Sequence, residues 1–140
     1  MDIKEVRTIV YPAFSKFNFY SRMFISKYIL ERDCVPLNPF NVWEYFVYEL
    51  VPREYIYRGN YNLARISDEL WAFGPIADGV WAEIEWAMTF NKPVKFFTLG
   101  SRYEDIKPLG INGLVFEEEL LAKRSKDELL EKINKYIHTI

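Results

Sequence analysis

Residues 68–98, DELWAFGPIADGVWAEIEWAMTFNKPVKFFT, decide the fold. The apolar run Glu69–Phe73 ends at a Gly-Pro pair, a pattern typical of a buried strand. Asp78 begins an amphipathic stretch that predicts a helix to about Phe90. Val94–Thr98 is again apolar and β-rich and predicts the next strand. Strand, loop, helix and strand in this order indicate a βαβ unit, whose two strands run parallel.

The rest of the chain continues this alternation. On the amino-terminal side the sequence predicts, in order, a strand at 8–11 ended by Pro12, a helix from Ser15 to about Glu31, a short strand at 35–39, a helix at 41–51 and a surface loop from Pro52 to Asn62. On the carboxyl-terminal side it predicts a short fifth strand, Leu114–Phe116, and a last helix capped by Ser125 and Glu128.

Alternating strands and helices predict an α/β fold, a doubly wound parallel sheet of about five strands with helices on both faces. We find no internal repeat, low-complexity segment or linker, so residues 1–140 are expected to form a single domain. Ligands of such sheets bind at the carboxyl ends of the strands. The expected rim segments are Tyr11–Ser15, Pro39–Asn41, Phe73–Gly79 and Thr98–Arg102.

The amino-acid composition argues against several classes of ligand and binding partner. The formal charge is −2 and no basic stripe is present, which argues against a nucleic-acid polymer. One cysteine and one histidine give no metal-binding set, and we expect no cofactor. No apolar stretch approaches the length of a membrane helix or signal peptide, so a cytoplasmic protein without membrane contact is expected.

Glu83 is the carboxylate that the pattern singles out for chemistry. It lies about one and a half turns into the predicted helix, where the helix N-terminus favours an ionised side chain at neutral pH. An ionised carboxylate in a pocket can attack the anomeric carbon of a sugar. Gly79, four residues earlier, leaves room above Glu83, and Asp78 is placed to bind a base or a ribose hydroxyl. The alternative is structural: Asp78 as N-cap and Glu83 as electrostatic support for the helix.

Motifs along the chain resemble those of the nucleoside 2-deoxyribosyltransferase family. They are Tyr-x-Ala-Phe at 11–14, an early helical Arg at 22, a second strand ending in Pro, Asp-Gly-x-x-x-Glu-Ile-x-x-Ala at 78–87 and Lys-Pro-Val at 92–94. The resemblance covers residues 9 to about 98 and implies a flavodoxin-like sheet. It also implies a small nucleoside or nucleotide as substrate and a homo-oligomer in which neighbouring subunits complete the site.

The resemblance also assigns roles to residues. It implies that Glu83 is the nucleophile, that Tyr11 lies beside it, and that Asp68 and Asp78 contact the base. Further substrate-binding candidates follow from position at the strand ends: Phe14, Gly74 and Gly79. The resulting hypothesis is an enzyme that cleaves or transfers at the N-glycosidic bond of a (deoxy)nucleoside or nucleotide.

Two other hypotheses remain open. The first is a binding module that senses a nucleotide without turnover, favoured by Glu85, where the family has Gly, and by the absence of an aromatic tail at 139–140. The second is an α/β protein whose aromatic residues form an oligomer interface, which predicts no pocket at Glu83. Among the remaining polar and aromatic residues, Trp71 is expected in the core, whereas Arg22, Asn60 and Trp86 are weaker ligand candidates.

Overall fold

The computed structural model describes residues 1–139 and every side chain among them except that of Tyr45; Ile140 lies outside the described residues. Its sheet comprises four parallel strands, β1 (Ile9–Ala13), β2 (Val35–Pro36), β3 (Glu69–Phe73) and β4 (Val94–Phe97). The spatial order is β2-β1-β3-β4, with β1 and β3 in the centre. This confirms the predicted α/β class, and the strand order is consistent with a flavodoxin-like layout.

The predicted fifth strand does not form in the part of the chain that the structure describes. Of Leu114–Phe116, only Phe116 makes a bridge, pairing with Ile76. Ile76 lies beyond the Gly74-Pro75 turn that ends β3, so no strand edge continues there to extend the pairing. The sheet therefore has four strands in this part of the chain rather than five.

Within residues 1–139, six α-helices and four short 3-10 helices flank the sheet. The α-helices are α1 (Arg22–Glu31), α2 (Pro39–Val42), α3 (Arg53–Ile66), α4 (Asp78–Thr89), α5 (Glu118–Leu121) and α6 (Lys126–Ile137). The 3-10 helices are Lys16–Ser21, Tyr45–Glu49, Tyr103–Asp105 and Ile111–Gly113. None of the helices among residues 1–139 is both long and apolar enough to span a bilayer.

The prediction of a surface loop from Pro52 to Asn62 is wrong, because α3 begins at Arg53, directly after Pro52, and continues to Ile66. Its polar composition, with a proline, a glycine and two asparagines, resembles a loop, but Ile56 and Ala64 are buried at helical spacing and α3 packs along α4. Burial of one apolar stripe stabilises a helix whose other faces are polar. The predicted helix at 41–51 also differs, being divided between α2 and the Tyr45–Glu49 3-10 helix.

Alternating side chains of β1 and β3 build a core on each face of the sheet. Tyr11 and Leu70 point towards α4 and α6, whereas Val10, Trp71 and Phe73 point towards α1. Trp71 is 5% exposed, which confirms its predicted place in the core. Because side chains alternate along a strand, Tyr11 is directed to the face on which α4 lies.

Candidate active site

A cleft opens at the carboxyl end of β1, between α3 and the amino-terminal half of α4. It comprises two adjoining chambers of about 380 Å³ and about 220 Å³. The residues that line both chambers are Lys16, Phe40, Arg53, Tyr57, Gly79 and Glu83. The larger chamber has a mainly apolar lining that includes four aromatic side chains, and the smaller one carries several carboxylates. Their shared wall places Glu83 where a ligand in either chamber can reach it.

Glu83 is paired with a tyrosine at the floor of this cleft. The Tyr11 hydroxyl donates a hydrogen bond to Oε2 of Glu83. Tyr11 is completely buried in the middle of β1, whereas Glu83 is partly exposed to the cleft. The hydrogen bond orients the carboxylate and occupies one of its two oxygens. The structure thus brings together the two residues that the sequence predicted as catalytic, and it opposes the interface-only hypothesis, which required Glu83 to lie outside any pocket.

Burial raises the pKa of Glu83 to about 7, and the hydrogen bond from Tyr11 acts in the opposite direction. Desolvation therefore brings the ionisation of the Glu83 carboxyl group into the neutral pH range. This corrects the prediction that the helix N-terminus keeps Glu83 fully ionised. The favourable effect of a helix N-terminus is confined to the first turn, and Glu83 is the sixth residue of α4, so desolvation outweighs it.

The Tyr11 phenol remains a hydrogen-bond donor across the physiological pH range. Burial, and secondarily the charge of Glu83, raise its pKa well above 10. A phenol that stays protonated favours the ionised form of the carboxylate that it contacts. Tyr11 therefore opposes the desolvation of Glu83 while keeping its own proton.

Three other predicted residues line the cleft. Phe14 lies in the smaller chamber with its ring centroid 5.0 Å from that of Phe40. Asp78, the first residue of α4, lines the same chamber and accepts a hydrogen bond from Nζ of Lys123 at 2.5 Å. A Cβ added to Gly79 would meet no atom within 4 Å, so this position leaves open space above the helix.

Two predicted residues are not brought to the cleft. Asp68 lies at the opposite, amino end of β3, where its Oδ2 accepts a hydrogen bond from the backbone N–H of Ile9 at 2.8 Å. Gly74 has φ +76° and its backbone N–H bonds to the carbonyl of Phe97. This left-handed conformation favours glycine, so Gly74 forms the turn after β3.

Glu85 and Arg22 also point elsewhere. Oε2 of Glu85 accepts a hydrogen bond from Nζ of Lys132 on α6 at 2.8 Å. Glu83 and Glu85 are two residues apart on a helix and hence project in diverging directions. Arg22 lies over the ring of Phe19 and donates to its carbonyl oxygen. Neither residue lines the two chambers.

Several residues that line the cleft were not predicted from the sequence, among them Lys16, Tyr48, Arg53 and Tyr57. Phe40 lies in the predicted rim segment Pro39–Asn41 and does line both chambers. Arg53 and Tyr57 are four residues apart on one face of α3, and Ile56 and Asn60 each follow one of them by three residues. The helical spacing of Ile56, Leu63 and Ala64 was the available signal for this face.

Asn60 and Tyr48 line the larger chamber, and Asn60 is also hydrogen-bonded to Trp43. Nε1 of Trp43 donates to Oδ1 of Asn60 at 2.8 Å. Burial, together with the charge of Glu83, raises the pKa of Tyr48 to about 12, and the nearby Asn60 side chain opposes this rise. Tyr48 thus lies within the electrostatic reach of Glu83.

Within residues 1–139, no group of three or more His, Cys, Asp or Glu side chains is placed to hold a metal ion. No protein-family model matches the sequence, and no curated protein matches it. The fold is similar to that of a 2-deoxyribosyltransferase from Leishmania mexicana, with a TM-score of 0.52 and 16% identity over 95% of this chain and 99% of that chain. A CMP N-glycosidase from Clostridium botulinum gives a TM-score of 0.46 and 17% identity over 91% and 99%. The chain thus has a nucleoside 2-deoxyribosyltransferase-like fold.

Proposed function

We propose that this protein is an enzyme that cleaves or transfers at the N-glycosidic bond of a (deoxy)nucleoside or nucleotide, with Glu83 as nucleophile. The observation that carries the proposal is the Tyr11–Glu83 pair at the floor of the cleft. One carboxylate oxygen is held by a buried phenol, and the other is left to approach a sugar. The fold shared with a 2-deoxyribosyltransferase supports this reading.

The reaction would proceed in two displacements. The ionised Glu83 carboxylate bonds to C1′ of the sugar while the C1′–N bond breaks and the base departs with the bonding electrons and takes up a proton. A second acceptor, either water or another base, then attacks C1′ and releases the Glu83 carboxylate. Water gives a hydrolase and a base gives a transferase.

The two chambers suit the two halves of a nucleoside. Phe40, Tyr57 and Trp86 line the larger chamber and offer ring faces to a base, a stacking contact that contributes about 1–3 kcal/mol. Asp78 in the smaller chamber offers carboxylate oxygens to sugar or base donors, and Gly79 and Phe14 shape the space between. In this proposal neither Asp68 nor Gly74 contacts the substrate.

The binding-module alternative loses one of its two supports. Glu85 favoured that alternative because it replaces a family glycine, yet its carboxylate pairs with Lys132 on the side of α4 away from the cleft. The substitution therefore leaves the surroundings of Glu83 unchanged, and we favour the enzyme.

We also propose that the protein forms a homo-oligomer through the surface formed by the Lys16–Ser21 3-10 helix and the start of α1. Phe17, Tyr20 and Met23 are each about two-thirds exposed there. Large apolar side chains grouped on a surface mark association sites. Light scattering coupled to size-exclusion chromatography should give a mass of at least two chains, and Met23→Lys should lower it.

Base release and base exchange from a panel of nucleosides and nucleotides test the enzymatic proposal. Glu83→Ala should abolish turnover of any substrate that the wild type accepts, because it removes the nucleophile. Glu85→Ala is the matched control, since it removes a carboxylate from the same helix outside the cleft, and it should retain activity. Wild-type protein that binds these compounds without turning any of them over would contradict the proposal and leave the binding module.

A further inference from the structure

Two cationic side chains of the cleft have no part in the proposed reaction. Lys16 and Arg53 line both chambers, and both side chains are exposed. Among residues 1–139 neither forms an ion pair with a carboxylate, whereas Asp78 of the smaller chamber is paired with Lys123. Two positive charges that face one cleft without a counter-charge from the protein favour an anionic ligand there.

Aromatic rings of the cleft lie beside both cations. Nζ of Lys16 is 5.6 Å from the ring centroid of Phe17, and the guanidinium carbon of Arg53 is 5.4 Å from that of Tyr57. Phe17 lines the smaller chamber and Tyr57 lines both. A cation within about 6 Å of a ring centroid is attracted to the ring. The rings therefore favour side-chain conformations that keep the two charges at the cleft.

A buried hydroxyl adds a third donor next to Lys16. Ser15 lines the smaller chamber, and its side chain belongs to a residue that is only 3% exposed. Its Oγ accepts a hydrogen bond from the backbone N–H of Phe17 at 3.3 Å, and among the described residues its O–H meets no acceptor. A buried donor without an acceptor is costly, so this hydroxyl favours a ligand that brings one. Serine hydroxyls, lysine and arginine are common donors to phosphate oxygens.

The positions of these donors relative to Glu83 indicate which part of a nucleotide they meet. Glu83, Lys16 and Arg53 belong to the wall that the two chambers share. Ser15 lines the smaller chamber alone, whereas Trp86, which offers its ring to the base, lines the larger one alone. With C1′ at Glu83 and the base in the larger chamber, the C5′ end of the sugar is directed to the smaller chamber. A phosphate on C5′ is thereby brought to the side of the cleft that carries the three donors.

Carboxylates limit the negative charge that the smaller chamber accepts. Glu117 and Glu119 line this chamber, and within residues 1–139 neither forms an ion pair. A phosphate monoester carries about two negative charges at neutral pH, which Lys16 and Arg53 can balance. Each further phosphate adds negative charge that meets the two carboxylates instead of a cation.

We propose that Ser15, Lys16 and Arg53 form a subsite for the 5′-phosphate of the substrate and make the cleft selective for nucleoside 5′-monophosphates over nucleosides and over di- and triphosphates. This inference rests on the proposed function, because the position of the sugar is taken from Glu83 as the nucleophile. The three residues are specificity residues that take no part in bond breaking. Their contacts with a part of the substrate that does not react hold C1′ in place at Glu83.

The test compares each nucleoside of the panel with its 5′-mono-, di- and triphosphate, by kcat/KM for base release and by calorimetric Kd. The wild type should favour the monophosphate over the nucleoside by roughly tenfold to a hundredfold, and this ratio should fall as salt screens the exposed cations. Lys16→Met and Arg53→Met should each reduce the ratio by about tenfold. Arg53→Lys keeps the charge and should retain more of the ratio than Arg53→Met. Arg58→Met is the matched control and should leave the ratio unchanged, because Arg58 lies on α3 but lines neither chamber.

The outcomes separate this inference from the proposed function. Turnover with a monophosphate-to-nucleoside ratio near one, or a ratio that neither Lys16→Met nor Arg53→Met lowers, overturns the subsite and leaves the glycosidic activity standing. A preference that increases from mono- to triphosphate overturns the selectivity for monophosphates. If no compound is turned over, the proposed function fails and the Kd values decide. Tighter binding of the monophosphate that both methionine variants weaken supports the subsite, whereas equal affinities or no binding of any form overturn it.

Discussion

Replacement of Glu83 by glutamine should change how the free energy of unfolding depends on pH. Glutamine retains the shape of the side chain and an oxygen that accepts the Tyr11 hydrogen bond, but it never ionises. In the wild type, burial raises the pKa of Glu83 to about 7 in the folded protein, from 4.5 for an unperturbed carboxyl group. The folded protein therefore binds more protons than the unfolded chain between these two values.

The size of the effect follows from the two pKa values. The stabilising contribution of the neutral carboxyl group is complete below pH 4.5 and is lost as the pH rises through about 7. With ~1.4 kcal/mol per pKa unit, the interval corresponds to roughly 3 kcal/mol. Because Glu83 keeps part of its contact with water, we expect roughly 2–3 kcal/mol of this to be observed. The free energy of unfolding of Glu83→Gln, relative to that of the wild type, should therefore increase by this amount as the pH rises from about 4.5 to about 8.

Urea unfolding followed by tryptophan fluorescence measures this difference at several pH values. Glu85→Gln is the control, because the Glu85–Lys132 pair is solvent-accessible and such pairs contribute about 0–1 kcal/mol. Its difference from the wild type should stay below about 1 kcal/mol throughout. The reasoning is refuted if the advantage of Glu83→Gln is the same at both ends of the pH range. It is also refuted if the advantage is larger in acid, since that would mean a lowered pKa.

Three other predictions concern the cleft and its surroundings. Tyr11→Phe removes the hydrogen bond that lowers the pKa of Glu83, so the pH at which kcat/KM reaches half its plateau should move upward from about 7. An unchanged pH profile would mean that this hydrogen bond does not affect the ionisation of Glu83. Gly79→Ala should stabilise α4 by up to about 1 kcal/mol and should raise KM, because the new methyl group meets no protein atom but enters the cleft. A KM equal to that of the wild type would mean that the substrate does not bind next to Gly79. Asp68→Ala should lower the free energy of unfolding by about 1 kcal/mol through loss of the hydrogen bond to the Ile9 N–H, and kcat/KM should not change. Loss of activity in a folded Asp68→Ala variant would mean that Asp68 does contact the substrate.

The central βαβ unit could be predicted from the sequence because its signals are local. β3 is bounded by a Gly-Pro turn, α4 begins at Asp78 and β4 follows a proline, and the structure places each within a residue or two of the predicted ends. The cap of α6 is equally local, with Ser125 Oγ accepting from the Glu128 N–H. Such elements require no knowledge of what packs against them.

The predictions that were wrong concern features that depend on tertiary contacts. α3 contains Gly59, Asn60 and Asn62, which in isolation favour a turn, and it forms a helix because Ile56 and Ala64 are buried. The surroundings of Tyr48 could not be predicted, since they depend on which face of α3 turns to the cleft.

The predicted ionisation state of Glu83 was wrong for a related reason. Position in a helix can be read from the sequence, whereas the desolvation that determines its pKa depends on the neighbours that the fold supplies. The Tyr11–Glu83 pair was reached only through the resemblance, because the two residues are 72 positions apart in the chain.

The measurement that tests the central claim most directly is peptide mass spectrometry of protein denatured in acid while it turns over a substrate from the panel. The account predicts a covalent glycosyl adduct on the peptide that contains Glu83, present in the wild type and in Glu85→Gln and absent in Glu83→Gln. Turnover that persists in Glu83→Gln, or an adduct on another residue, would contradict it.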